Sequence, residues 1–333
     1  MDFVSDSNTV LADSTGYTPS GPLDPLAAQI ASYFQADPNW AEMTHRPVAE
    51  TREWVRAATP LLGAPDMQHV EDFRVRVAGG DIAVRLYRPV ARPPALIIWA
   101  HGGGFVLGSV DETDNFARAL AKESSCAIAS VDYRLAPEHK FPTAVDDLLQ
   151  ATLWVAACVP KLAGAQVPLW LAGDSAGANL ATVVTRKLHE AGACAIAGNI
   201  LAYPTTDSPD APSLRRFTSP FLGIREVRFF LDQYLPDAAA RLHPDFAPLR
   251  SPNLNRLPPT LIISAEHDII TEQAEAYGQQ LSRLGVPVRV RRYPGMIHGF
   301  LTLGAFFAGA AGQAMRDISE FVAATAHAPA FGR

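Results

Sequence analysis

From about residue 70 onward, short apolar runs alternate with longer segments whose apolar residues recur every three or four positions. Leu96–Trp99, Ala127–Val131, Leu169–Ala172, Ile196–Ala202 and Leu261–Ser264 are strand-sized runs. Phe73–Val77 and Ile82–Tyr87 flank the turn Ala78-Gly79-Gly80-Asp81, which predicts a hairpin. Val286–Arg291 alternates apolar and basic residues, as a strand at the edge of a sheet does. Helix-sized segments lie between: Phe116–Glu123, Ala144–Ala157, Ala178–Ala191, Gln273–Leu284 and Ala314–Ala324. Repeated strand–helix alternation predicts an α/β fold, a mostly parallel sheet with helices on both faces. The hairpin adds an antiparallel edge.

Two regions break the alternation. Residues 1–68 hold helix-like pieces, Leu26–Phe34 and Ala49–Ala58, interrupted by prolines. Residues 208–248 intrude between two strands and carry the amphipathic stretch Glu226–Tyr234. Together they predict a helical cap. Residues 69–333 then form the main α/β domain, with the cap insertion at about 208–248.

Composition narrows the classes. A chain with 48% hydrophobic and 19% charged residues holds enough apolar material for a large core. The net charge of −6, with no basic stripe, argues against nucleic acid as a partner and against attraction to anionic membrane. No apolar stretch approaches the roughly 18 residues of a membrane span. The opening MDFVSDSNTV lacks the positive start and apolar run of a secretory signal. A soluble, cytoplasmic protein without membrane anchoring is therefore expected. Cys126, Cys158 and Cys194 are odd in number and form no CxxC pair, so neither a disulfide framework nor a zinc site is expected.

The candidate chemistry begins at Gly173-Asp174-Ser175-Ala176-Gly177, a GxSxG match between an apolar strand and a helical stretch. A nucleophile elbow has this context: a tight strand-to-helix turn that exposes the serine hydroxyl. The same small residues also suit an ordinary tight turn. His101-Gly102-Gly103-Gly104-Phe105 follows the strand Leu96–Ala100, and its glycines leave backbone N–H groups bare. Gly103, Gly104 and Ala176 are the candidate donors to an oxyanion. His101, at the strand end, fits a structural hydrogen bond better than a base. Neither GxGxxG nor GK[ST] is present, so the glycines are no nucleotide fingerprint.

A serine hydroxyl needs a base, and the base needs an orienting carboxylate. Asp268 follows the run Leu261–Ser264, and His298 follows the last strand in a short glycine-flanked loop. Their order behind Ser175 is the order nucleophile, acid, base. Asp268 also suits a plain helix cap, and Glu266 is a rival carboxylate two residues earlier. Metal and cofactor are not required, and HExxH is absent.

HGGGF, YRLAPEHKFP (Tyr133–Pro142), GDSAGAN and GMIHGF together resemble the hormone-sensitive lipase group of α/β-hydrolases, especially its bacterial esterases. The resemblance runs from about residue 70 to the end. It implies an α/β-hydrolase fold with a helical cap and a carboxylesterase without cofactor, acting on small-molecule esters of short to medium acyl chains. It carries Ser175, Asp268 and His298 into a triad, Gly103, Gly104 and Ala176 into an oxyanion hole, and a structural role into Tyr133–Pro142. Two other readings stand beside it: a deacetylase or amide/carbamate hydrolase with the same triad, and a non-catalytic binding protein on this fold. Where the family has Asp-Pro-Leu, this chain has Asp268-Ile269-Ile270, which suggests a looser turn. Phe105, Phe34, Phe221 and Leu222 are the candidate walls of an acyl pocket. A homodimer through the last strand is a further expectation.

Overall fold

The computed structural model describes residues 17–59 and 63–326; the ends of the expected cap and main domain outside these ranges lie beyond the described residues. The strands are β1 (His69–Val77), β2 (Gly80–Arg88), β3 (Leu96–Ala100), β4 (Ala127–Asp132), β5 (Leu169–Asp174), β6 (Gly198–Ala202), β7 (Thr260–His267) and β8 (Val288–Ile297). They form one sheet in the order β1-β2-β4-β3-β5-β6-β7-β8. The β1–β2 hairpin and the β2–β4 pair are antiparallel. All other neighbours are parallel.

Period-two alternation divides the core between the two faces. Leu96, Ile98 and Leu171 point to one side, with Leu148 and Val155 of α5 (Thr143–Ala163), Val183 of α6 (Ala176–Ala191) and Leu281 of α8 (Thr271–Arg283). Ile97, Trp99 and Trp170 point to the other, with Leu120 of α4 (Asp114–Ser124) and Ile318 of α9 (Ala308–Thr325). Because both faces are covered, the central strands read as unbroken apolar runs. Each of these leucine, isoleucine and valine side chains, fully buried, contributes about 1.5–3 kcal/mol.

Several elements run past their expected ends. α5 continues to Ala163 through Pro160, because Val159, Leu162 and Ala163 bury against the sheet and packing outweighs the lost hydrogen bond. β8 continues through Tyr293-Pro294-Gly295 to Ile297, where a break in register against Ala265–His267 carries it past the proline. His298 therefore follows the strand directly.

The amino-terminal helices are α1 (Pro25–Ala36), α2 (Pro38–Ala41) and α3 (Val48–Ala58). Asp24 caps α1, its Oδ1 accepting from the N–H groups of Leu26 at 2.8 Å and Ala27 at 3.2 Å, with Pro25 at the first helical position. The 208–248 segment contributes α7 (Ile224–Tyr234). The two regions meet through aromatic rings: Trp40 stacks on Phe221 at 4.8 Å, and Phe34 meets Phe221 edge-on at 5.3 Å. Met43 is fully buried in the same cluster as Val227, Phe230 and Leu231 of α7. Among the described residues, no helix is long and apolar enough to cross a membrane.

Candidate active site

Ser175 sits between β5 and α6 with φ 53° and ψ −117°, a conformation that costs a non-glycine residue of order 1–3 kcal/mol. The turn is held by the Ser175 N–H donating to the Ala202 carbonyl at 2.8 Å. It is also held by close backbone contact, since a Cβ on Gly177 would overlap the Ala100 carbonyl. The strained turn lifts the hydroxyl out of the strand line, at the amino end of α6.

His298 Nε2 lies 2.9 Å from Ser175 Oγ, and its Nδ1 lies 2.7 Å from Asp268 Oδ2. A carboxylate only accepts, so Nδ1 carries the proton and Nε2 is left to accept from the serine. Asp268 is fully buried and His298 is 8% exposed, so water competes little for these bonds. The second oxygen of Asp268 accepts from the Ile270 N–H at 3.1 Å, and the Asp268 carbonyl accepts from the Thr271 N–H at 3.2 Å. Asp268 thus closes its own turn before α8 as well as meeting the histidine. At Asp268-Ile269-Ile270, where a looser turn is expected, these bonds and the burial of both isoleucines hold the chain.

The loop after β3 lies beside this group. Gly103 has φ 110°, and a Cβ there would overlap the Leu107 carbonyl. Only glycine fits such a position without moving the loop. The loop is fixed from below by Asp174, whose Oδ1 accepts from the Gly102 N–H at 3.0 Å and from Trp99 Nε1 at 3.2 Å. Burial pushes the Asp174 carboxyl up to about 6, against the opposing pull of Trp99, His298 and Gly102. The loop is fixed from above by Phe230 of α7, whose ring fills the space beside Gly104. Ala176 opens α6, where a helix has N–H groups without intrahelical partners. His101 is fully buried, stacks on Tyr133 at 4.3 Å and places Nδ1 2.7 Å from the Gly102 carbonyl, so it belongs to the loop's support.

A family model described as alpha/beta hydrolase fold matches residues 97–302. The chain belongs to the α/β-hydrolase family. Within it, this hydrolase is of the hormone-sensitive lipase type. It is 36% identical over 236 residues to an ethyl acetate hydrolase of Pseudomonas putida, covering 68% of this chain and 74% of that one. It is 31% identical over 286 residues to an arylesterase of Saccharolobus solfataricus, covering 84% and 92%. A solved hyperthermophilic esterase of Pyrobaculum calidifontis superposes with a TM-score of 0.85 at 34% identity, covering 91% of this chain and 99% of that one.

The suggested acyl-pocket residues divide. Phe105 is corrected: it is 1% exposed, and its ring stacks on Tyr234 at 3.9 Å inside the core. Its φ is 65°, after two glycines of positive φ, and its ring packs among the buried rings of Tyr234 and Phe246. Leu222 is likewise buried in the core that carries α7. Phe34 and Phe221 are half-buried and meet Trp40, and Phe34 also meets Trp54 at 6.2 Å. A cavity of about 550 Å3 lined by Arg52, Arg56, Glu112 and Arg134 includes none of Ser175, Asp268 and His298. Among the described residues, no cluster of side chains has the makeup of a metal site.

Sequence reading missed the supports. Tyr203 packs its ring against His298 at 4.8 Å. Arg52 of α3 donates to the carbonyls of Val106 at 2.8 Å and Ala136 at 2.6 Å, tying the amino-terminal region to the glycine loop. The one available signal was Asp174 itself, a carboxylate at the end of an otherwise apolar strand.

Proposed function

We propose that this protein hydrolyses carboxylic esters through an acyl-enzyme formed on Ser175. The observation that carries the reading is the unbroken relay Ser175 Oγ–His298 Nε2 at 2.9 Å and His298 Nδ1–Asp268 Oδ2 at 2.7 Å. In this reading Ser175 Oγ attacks the ester carbonyl while His298 Nε2 takes its proton. Negative charge develops on the carbonyl oxygen, and the N–H groups of Gly103, Gly104 and Ala176 receive it. Asp268 holds the imidazole in the required tautomer and stabilises the imidazolium. Collapse expels the alcohol, which leaves with the proton from His298. Water, activated by the same histidine, then releases the acid. The esterase names of the relatives support this reading.

The reading extends to short and medium acyl chains. Its support is the cap, formed by the amino-terminal helices and the 208–248 insertion, with Phe230 against the oxyanion loop and half-buried Phe34 and Phe221 meeting where its parts join. A cytoplasmic location is part of the same proposal, supported by three cysteines that are all unpaired. The test is a p-nitrophenyl ester series from acetate to palmitate, with matched anilides as amide controls and Ser175→Ala beside the wild type. Each buried methylene is worth about 0.8 kcal/mol, so kcat/KM should climb up to roughly fourfold per carbon and then drop. A maximum at laurate or longer, or anilides cleaved as fast as esters, would count against it.

A further inference from the structure

The ends of β7 and β8, which lead into Asp268 and His298, are crossed by an arm of the chain from its other end. Glu266, two residues ahead of Asp268, is 2% exposed. Its Oε1 accepts from the Ser20 N–H at 2.9 Å, the Ser20 hydroxyl at 2.8 Å and the Gly21 N–H at 3.0 Å. Its Oε2 accepts from the Gly295 N–H at 2.8 Å, three residues ahead of His298. One carboxylate therefore joins the arm to the ends of β7 and β8, the strands that lead into Asp268 and His298. Two more bonds close the junction: the Asp24 N–H donates to the Gly295 carbonyl at 3.0 Å, and the Tyr17 hydroxyl donates to the Glu266 carbonyl. The Arg292 guanidinium lies over the Tyr17 ring at 4.9 Å, and the ring meets Phe217 of the 208–248 segment edge-on at 6.5 Å.

Glu266 is thus fully committed away from the histidine. Burial alone would raise its carboxyl, but the N–H and hydroxyl donors of Gly295, Ser20 and Gly21 outweigh that and hold it at about 2. These donors favour its ionised, acceptor-only form, and the role it plays is one of geometry.

We propose that Glu266 is a positioning residue, which pins the arm of residues 17–24 across the ends of β7 and β8 and so sets the alignment of Asp268 and His298 with Ser175. The proposal rests on the triad reading above. Small displacements of such groups are costly: about 1 Å can lose roughly 100-fold in rate.

The test uses the full chain with Glu266→Ala, Glu266→Gln and Ser20→Ala. Three things are read: kcat and KM on p-nitrophenyl butyrate, hydrogen exchange in peptides covering 17–24 and 293–300, and thermal midpoint. In Glu266→Ala, kcat should fall roughly 10- to 100-fold with KM within about threefold. Exchange should rise in both peptides together. Glu266→Gln should lie between, because its amide oxygen still accepts from the arm while its NH2 no longer accepts from Gly295. Should Glu266→Ala fail to fold, the same graded loss in the two milder variants decides the matter. The role is overturned if the arm exchanges faster with kcat unchanged, or if kcat falls only in step with the folded fraction. Ser175→Ala must keep wild-type exchange in both peptides; a wild type with no Ser175-dependent turnover would overturn the triad reading and the role with it.

Discussion

Replacing Asp174 by asparagine should stabilise the protein above pH 6 relative to its behaviour below pH 4. Burial lifts this carboxyl from its ordinary 3.8 to about 6 in the folded protein. Between those values the folded state binds the proton that the unfolded state has lost, so stability falls as pH rises. Below them both states are protonated and nothing is lost. Above them both are ionised, and the folded state carries the whole cost of a buried charge. At about 1.4 kcal/mol for each tenfold change in proton affinity, the span amounts to about 3 kcal/mol. Asparagine keeps an oxygen to accept from Trp99 Nε1 and the Gly102 N–H but cannot titrate. Any loss from its amide group is the same at every pH and shifts the whole curve without bending it. The assay is urea unfolding of both proteins at a series of pH values across the acid range. The stability difference, variant minus wild type, should be flat below pH 4, rise by about 3 kcal/mol between pH 4 and 6, and be flat above. A flat difference throughout would mean that Asp174 titrates normally, and a fall with rising pH would mean that its charge stabilises the fold.

Two further outcomes follow from the site's geometry. Asp268→Asn should lower kcat by roughly 10³- to 10⁴-fold, because the amide leaves the imidazole in the wrong tautomer; steady-state rates should show a far larger loss than for Glu266→Gln, and the reverse ranking would move the acid. Gly103→Ala should lower kcat/KM by roughly 100- to 1,000-fold, since the loop must shift to clear the Leu107 carbonyl and take an oxyanion donor with it; a ligand-free variant that unfolds at the wild-type midpoint yet keeps full activity would show that this loop does not bear on the reaction.

Much of the architecture was legible because the chemistry repeats a simple period. Strands buried on both faces read as continuous apolar runs, and the turns after β3 and β5 declared themselves by glycine. The positions of Ser175, Asp268 and His298 followed from chain order, since each lies at the carboxyl end of a parallel strand. What could not be read were features fixed by backbone sign or distant partners. Phe105 looked like a pocket wall, but at its positive φ the ring packs in the core against Tyr234. Glu266 looked like a rival acid, yet its partners Ser20 and Gly21 lie more than two hundred residues away in sequence. Strand ends were misplaced where a local rule lost to packing: Pro294 would normally end a strand, but the register break lets β8 run on to Ile297.

Everything proposed for this site depends on Ser175 being the nucleophile, activated by His298. Intact-protein mass spectrometry after treatment with a fluorophosphonate probe tests it most directly. One covalent adduct is expected on the wild type, mapped by peptide digestion to Ser175, with loss of ester hydrolysis in proportion to labelling. Ser175→Ala should take no adduct and hydrolyse esters at a rate lower by up to roughly 10⁶-fold. An adduct on another residue, or a Ser175→Ala protein that still hydrolyses esters at the wild-type rate, would contradict it.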